Sequence, residues 1–159
     1  MKLSLDCQKA CEDGIPAQDK LESWIETTLI AAQQNQDRGL TIRFVESDES
    51  RQLNSNYRQK DQPTNVLSFP FEQPIGVEDQ EVNNYLGDLV ICSAVVIQEA
   101  ILQNKSLQAH WAHMCVHGCL HLLGFDHITT EDAERMEQLE IEVLKKLSIP
   151  NPYIEASKN

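Results

Sequence analysis

An α+β fold, with a small mixed sheet of four strands packed by helices, is what this chain of 159 residues predicts. Three observations carry the prediction: short segments with period-2 alternation, amphipathic segments at helical spacing between them, and a crowd of histidines on one helical segment. An apolar fraction of 41% over this length is enough for one core, so a single domain spanning 1–159 is expected.

Leu3 and Leu5 mark a short strand at 2–5. Leu21, Trp24, Ile25, Leu29 and Ala32 recur at helical spacing, which predicts an amphipathic helix over about 17–36, stopped by Arg38-Gly39. Leu40, Ile42 and Phe44 then alternate with polar neighbours, the mark of a half-buried strand over 40–46. Ser47 or Asp48 is placed to cap a short helix that runs through Tyr57. Strands follow at 65–69 and 86–91, separated by a segment from Pro70 to Asn84 whose two prolines, glycine and acids predict a mobile loop. Ser93 and Ser106 are caps for two further helices, the second running through the histidines to Gly124. A last helix starts near Thr130, with Met136, Leu139, Val143, Leu144 and Leu147 as its apolar stripe and Pro150 and Pro152 beyond its end.

The first dozen residues have no basic stretch followed by an apolar run, so neither a signal peptide nor a membrane anchor is expected. Five cysteines, an odd number without paired CxxC spacing, argue against a disulfide framework and a cysteine-rich zinc site, and fit reduced thiols in a cytoplasm. The net charge of −12 opposes a nucleic-acid partner at first sight, because phosphate binding rests on local positive charge. The acid excess is uneven: residues 1–71 hold 8 basic against 11 acidic side chains, and residues 72–159 hold 5 against 14. Glu131, Asp132, Glu134, Glu137, Glu140 and Glu142 crowd the last helix and read as its solvated face.

All five histidines, His110, His113, His117, His121 and His127, lie within 18 consecutive residues. His117 and His121 are four apart, which on a helix puts both imidazoles over one face, close enough to share an ion at about 2.0–2.1 Å. Adding His113 would spread three ligands over about 12 Å of helix axis, too far to converge. Gly124 answers the geometry. A glycine just past a helix end takes the left-handed conformation and swings the chain back, delivering His127 to the same face. The pattern His-x3-His-x2-Gly-x2-His is similar to metzincin metalloproteases, except that Gly118 stands where they carry the glutamate that activates water. His110 and His113 read as packing or hydrogen-bonding residues near the site, with His113 one turn before His117. Asp126 either orients an imidazole or caps the turn.

Three blocks, LNSNYRQKDQPTNVLSFPFE at 53–72, LGDLVIC at 86–92 and HGCLHLLGFDH at 117–127, resemble the YbeY family of bacterial endoribonucleases, which act in ribosomal RNA maturation and ribosome quality control. The family's HGxLHLxGYDH pattern maps its zinc ligands onto His117, His121 and His127, with Phe125 in place of tyrosine. Asn65 stands where the family often has aspartate. The resemblance implies a role for Arg58 in RNA cleavage, and a guanidinium fork is suited to hold a phosphate there. Arg51 and Lys60 would extend a local basic strip for substrate binding.

The expectation is therefore a zincin-like cleft lined by the metal-bearing helix, one Zn2+ or other transition ion per chain, and single-stranded or ribosomal RNA as substrate, with ribosomal partners. Two rivals stand beside it. One is a metalloprotease-like hydrolase with a displaced base, which Gly118 opposes. The other is a ribosome-associated binding protein with structural zinc, which the absence of an obvious fourth ligand opposes.

Overall fold

The computed structural model describes residues 1–11, 14–72, 76 and 84–154. Its strands are β1 (Leu3–Ala10), β2 (Arg38–Val45), β3 (Val66–Pro70) and β4 (Tyr85–Cys92), and its helices are α1 (Gln18–Ala31), α2 (Ser47–Arg58), α3 (Ser93–Leu102), α4 (Leu107–Leu122) and α5 (Thr130–Lys146). They form the mixed four-stranded sheet expected, in the order β1-β2-β4-β3, with β1, β2 and β4 parallel and β3 antiparallel to β4. No helix among the described residues is long and apolar enough to cross a membrane.

Leu40, Ile42 and Phe44 of β2 and Leu89 and Ile91 of β4 are buried on one face, against Leu21, Trp24, Ile25 and Leu29 of α1 and the apolar side of α4. Trp111 of α4 meets Phe44 edge to face, with ring centroids 5.4 Å apart. The other face is covered in part by α2, whose Leu53 packs over Val45, Leu67, Val90 and Cys92. β4 is buried on both faces because it lies between two strands and under helices on each side, which is why it reads as a nearly unbroken apolar run.

Several boundaries differ from the sequence reading. Arg38-Gly39 does not stop α1 but begins β2, since Leu3 to Ala10 offers a full strand for residues 38–45 to pair with. Neither Ser47 nor Ser93 caps: Glu46 and Cys92 hold the N-cap positions of α2 and α3 without a side-chain hydrogen bond. Ser106 does cap α4, its hydroxyl accepting from the Ala109 N–H at 3.1 Å. The loop expected between Pro70 and Asn84 falls largely outside the described residues.

Topology leaves β3 at the sheet edge. Cys92 donates its N–H to the Asn65 carbonyl and Phe71 donates to the Leu86 carbonyl, each at 2.9 Å. Odd-numbered residues of β3 therefore face β4, and the backbone groups of Val66, Ser68 and Pro70 point to the open edge. α4 runs beneath this edge, where the Ser68 hydroxyl donates to the Gly118 carbonyl at 3.3 Å.

Candidate metal centre

A cleft of about 600 Å³ follows the open edge of β3. The end of α2, with Tyr57 and Arg58, lines one side, and His117, His121 and His127 line the other. Each histidine is placed by a local device that the sequence encodes. His117 and His121 stand one turn apart on the last two turns of α4. The helix then closes in a Schellman turn: Gly124 at φ +100° donates to the His121 carbonyl, and Phe125 donates to the Leu120 carbonyl, both at 3.0 Å. Past that turn Asp126 accepts the Ile128 N–H at 3.2 Å, so its carboxylate caps the bend that presents His127. Thr129 then caps α5 by accepting the Asp132 N–H at 3.1 Å.

One ligand atom from each of His117, His121 and His127 lies within 4.8 Å of the others. The Nε2 atoms of His117 and His121 are 3.1 Å apart. On each ring the other nitrogen has its own acceptor. His121 Nδ1 donates to the Phe125 carbonyl at 2.9 Å, and His117 Nδ1 donates to Glu140. That leaves two Nε2 lone pairs facing each other, an arrangement a cation between them relieves. Burial, reinforced by the neighbouring His117 and His127, lowers the pKa of His121 and favours the neutral, ligating form. Three imidazole donors beside an open cleft are a set that would fit a divalent transition ion.

Glu140 is the residue the sequence reading misplaced. It is fully buried, not on the solvated face of α5 with the other acids. Burial alone would raise its carboxyl, but His113, whose Nε2 lies 3.6 Å away, and the hydrogen bonds from His117 and Tyr153 outweigh that and hold it down to about 2. The signal was present: Glu140 stands four residues after Met136 and four before Leu144, inside the apolar stripe. A carboxylate behind a ligating imidazole fixes its tautomer and strengthens it as a ligand. His113, His117 and Glu140 also bring ligand atoms within 4.8 Å. In that trio both Glu140 oxygens already accept hydrogen bonds, from His117 and Tyr153, and neither His113 nor Glu140 lines the cleft. Only the trio of His117, His121 and His127 lines the cleft with all three members.

A family profile described as Endoribonuclease YbeY matches residues 7–148. The chain belongs to the YbeY family. The Endoribonuclease YbeY of Colwellia psychrerythraea (strain 34H) is 53% identical over 154 residues, covering 95% of this chain and 97% of that protein. The solution structure of TM1509 from Thermotoga maritima shares the fold, with a TM-score of 0.54 at 24% identity over 99% of both chains.

The other residues singled out from the sequence separate clearly. Arg58 is exposed and lines the cleft. Arg51 is held in a two-point pair with Asp61, at 2.7 and 2.9 Å, and neither it nor exposed Lys60 lines the cleft. Asn65 lines it, with its amide NH2 held by both Glu99 oxygens at 3.1 and 3.2 Å. Position 118 faces the sheet: a Cβ there would lie 2.8 Å from Leu89 Cδ2 and 3.2 Å from Val66 Cγ2. Glycine is what lets α4 approach β3 and β4. Cys115 and Cys119 are buried thiols, the latter pushed up to about 12 by desolvation, and stay protonated in the apolar interior.

Proposed function

We propose that this protein is a metal-dependent endoribonuclease specific for single strands, of zincin-like build, acting in ribosomal RNA maturation and ribosome quality control in the cytoplasm, with one Zn2+ per chain. The observation that carries this is the juxtaposition of three converging imidazoles and one arginine across a single cleft, in a chain whose 53% identical relative is named an endoribonuclease. His117, His121 and His127 would hold the ion. When bound, it supplies Lewis-acid chemistry, drawing electron density from a phosphoryl oxygen or from a water.

The protein's own groups supply the rest. Glu140 keeps the His117 Nδ1 proton in place, and the Phe125 carbonyl does the same for His121, so both rings present Nε2 to the cleft. Arg58 offers its donor fork to a phosphate held between α2 and α4, offsetting the charge that builds on the phosphoryl oxygens as the bond breaks. Attack by the neighbouring ribose hydroxyl would form the O2′–P bond as the P–O5′ bond breaks, its proton passing to solvent and the leaving oxygen taking one up from solvent. It needs no carboxylate at position 118, where packing against Leu89 leaves no room for one. Arg51 and Lys60 contribute outside the cleft, as weak guides for the RNA chain. Ribosomal partners belong to the same proposal.

The open edge of β3 favours one second reading, a protease that binds an extended peptide along Val66, Ser68 and Pro70. One experiment separates the two. Zinc-loaded wild type, Arg58→Ala and His117→Ala are compared on labelled single-stranded RNA and on a generic peptide. RNA cleavage should fall roughly 10²-fold in Arg58→Ala with zinc retained, and vanish with zinc in His117→Ala. Peptide cleavage that needs zinc and tolerates the arginine change would replace the nuclease with the protease.

A further inference from the structure

RNA binding by this chain faces an electrostatic shortfall. Arg58 is the one Lys or Arg among the described residues lining the cleft, Asp126 lies across from it, and the chain carries a net charge of −12. Arg51 is committed to Asp61. One or two phosphate contacts give little counterion release, so most of the affinity for a single strand has to come from contacts that are not ionic.

Tyr57 is placed to provide them. It precedes Arg58 at the end of α2, it lines the cleft, and it is 64% exposed. Its hydroxyl has no partner among the described residues. The ring meets Phe69 of β3 in a T-shaped contact, with centroids 5.0 Å apart and planes at 72°. Such a contact occupies at most one face of the tyrosine and braces it against rotation. Among the described residues no second ring covers the other face, which lies one residue from the phosphate-binding arginine.

We infer that Tyr57, braced by Phe69, is a base-stacking subsite that takes one unpaired nucleobase of the RNA while Arg58 holds an adjacent phosphate. This deepens the nuclease reading and rests on it. The subsite also accounts for a preference for single strands. A base in a duplex already has both faces covered, and an unpaired one can give a face to an aromatic ring. Stacking reads no sequence, since every base has a π face, so the subsite sets strandedness and leaves sequence choice to other contacts.

The test uses zinc-loaded protein and a labelled single-stranded RNA in which each nucleotide in turn lacks its base. Tyr57→Leu keeps an apolar contact with Phe69 but offers no ring face, and Tyr57→Trp restores one. The leucine variant should raise KM about tenfold with a smaller change in kcat, and tryptophan should return KM to near the wild-type value. One abasic position should impair the wild type by a similar factor and leave Tyr57→Leu unaffected. The logarithm of affinity should fall with the logarithm of salt at a slope of about −1, the value for one or two phosphates on a single strand. Wild-type KM in Tyr57→Leu, a loss that tryptophan does not repair, or an abasic penalty equal in both proteins overturns the subsite. Wild type that binds the RNA through Tyr57 but does not cut it with metal sinks the nuclease reading instead, so the two failures are distinguishable.

Discussion

Along α4, His110 and His113 sit in a half of the helix turned to the interior and tied to the carboxylates Glu99 and Glu140, whereas His117 and His121 open onto the cleft beside β3. His110 is 2% exposed, with its Nε2 at 2.9 Å from Glu99 and its Nδ1 buried without a partner among the described residues. His117 and His121 are only partly buried, and each has its Nδ1 engaged and its Nε2 free to face the other. Residue type and secondary structure are the same in both halves. What differs is which nitrogen is spoken for and whether the remaining one faces protein or open space. A histidine becomes a ligand when its neighbours claim one nitrogen and leave the other pointing at a vacant volume.

The largest test of this difference is metal content. His117→Ala, His121→Ala and His127→Ala should each fall from about one ion per chain to almost none, while His110→Ala and His113→Ala keep theirs, as read by elemental analysis after gel filtration. Retention by His127→Ala with loss by His113→Ala would move the site to the buried trio of His113, His117 and Glu140 and erase the contrast.

Glu140 sharpens the comparison from behind. Glu140→Gln should weaken zinc binding about 10- to 100-fold in competition with a chelator, because an amide neither accepts the His117 proton as strongly nor fixes the ring. Glu137→Gln, on the exposed side of the same helix, should leave affinity unchanged. If both substitutions act alike, the carboxylate contributes only net charge.

The convergence of His117, His121 and His127 was legible in the sequence because its geometry is local. Two histidines one turn apart and a glycine at the helix end specify a convergence within a dozen residues, and the Schellman turn at Gly124 forms it as expected. Four strands were legible for the same reason, β2 through period-2 alternation and the others as short apolar runs. Glu140 was not recognised, since its partner lies 23 residues away and six acids on one helix suggest a wet face until the apolar stripe is followed through position 140. Arg51 shows a pairing that sequence proximity does not reveal. Its proximity to Arg58 in sequence suggested a basic strip, but a carboxylate ten residues on takes its guanidinium. The start of β2 at Arg38 depended on pairing with β1, information no single segment contains.

Two glycines separate the turn that builds the open half from the packing that supports it. Among the described residues Gly124 has nothing within 4 Å of an added Cβ, so Gly124→Val costs only conformation, about 1–2 kcal/mol for a β-branched residue held left-handed. That cost should appear as weaker zinc binding, because relaxing the turn moves His127. Gly118→Ala pushes Leu89 instead and should lower the melting temperature by the equivalent of about 1 kcal/mol, with zinc affinity intact. Equal zinc affinity in the two variants would show that the turn does not position the third ligand.

The smallest effect belongs to the closed half of α4 and concerns acid. Burial lowers the pKa of His110 below its ordinary value, against the opposing pull of the Glu99 hydrogen bond, so the folded protein keeps this ring neutral where the unfolded chain protonates it. The sign follows from the proton count. In the interval just below the unfolded value of about 6.5 the unfolded state holds more protons, so stability falls as pH falls through it and is fully present above it. A single group contributes at most about 1.4 kcal/mol per pH unit, and only between its two values. Urea melts of metal-free wild type and His110→Gln between neutral pH and the acid side of that interval isolate the term, because the other histidines are common to both proteins and cancel. The wild type should lose more stability than the glutamine variant on acidification. If the two curves stay parallel, His110 is protonated in the fold as readily as outside it, and burial does not set the charge of the closed half of α4.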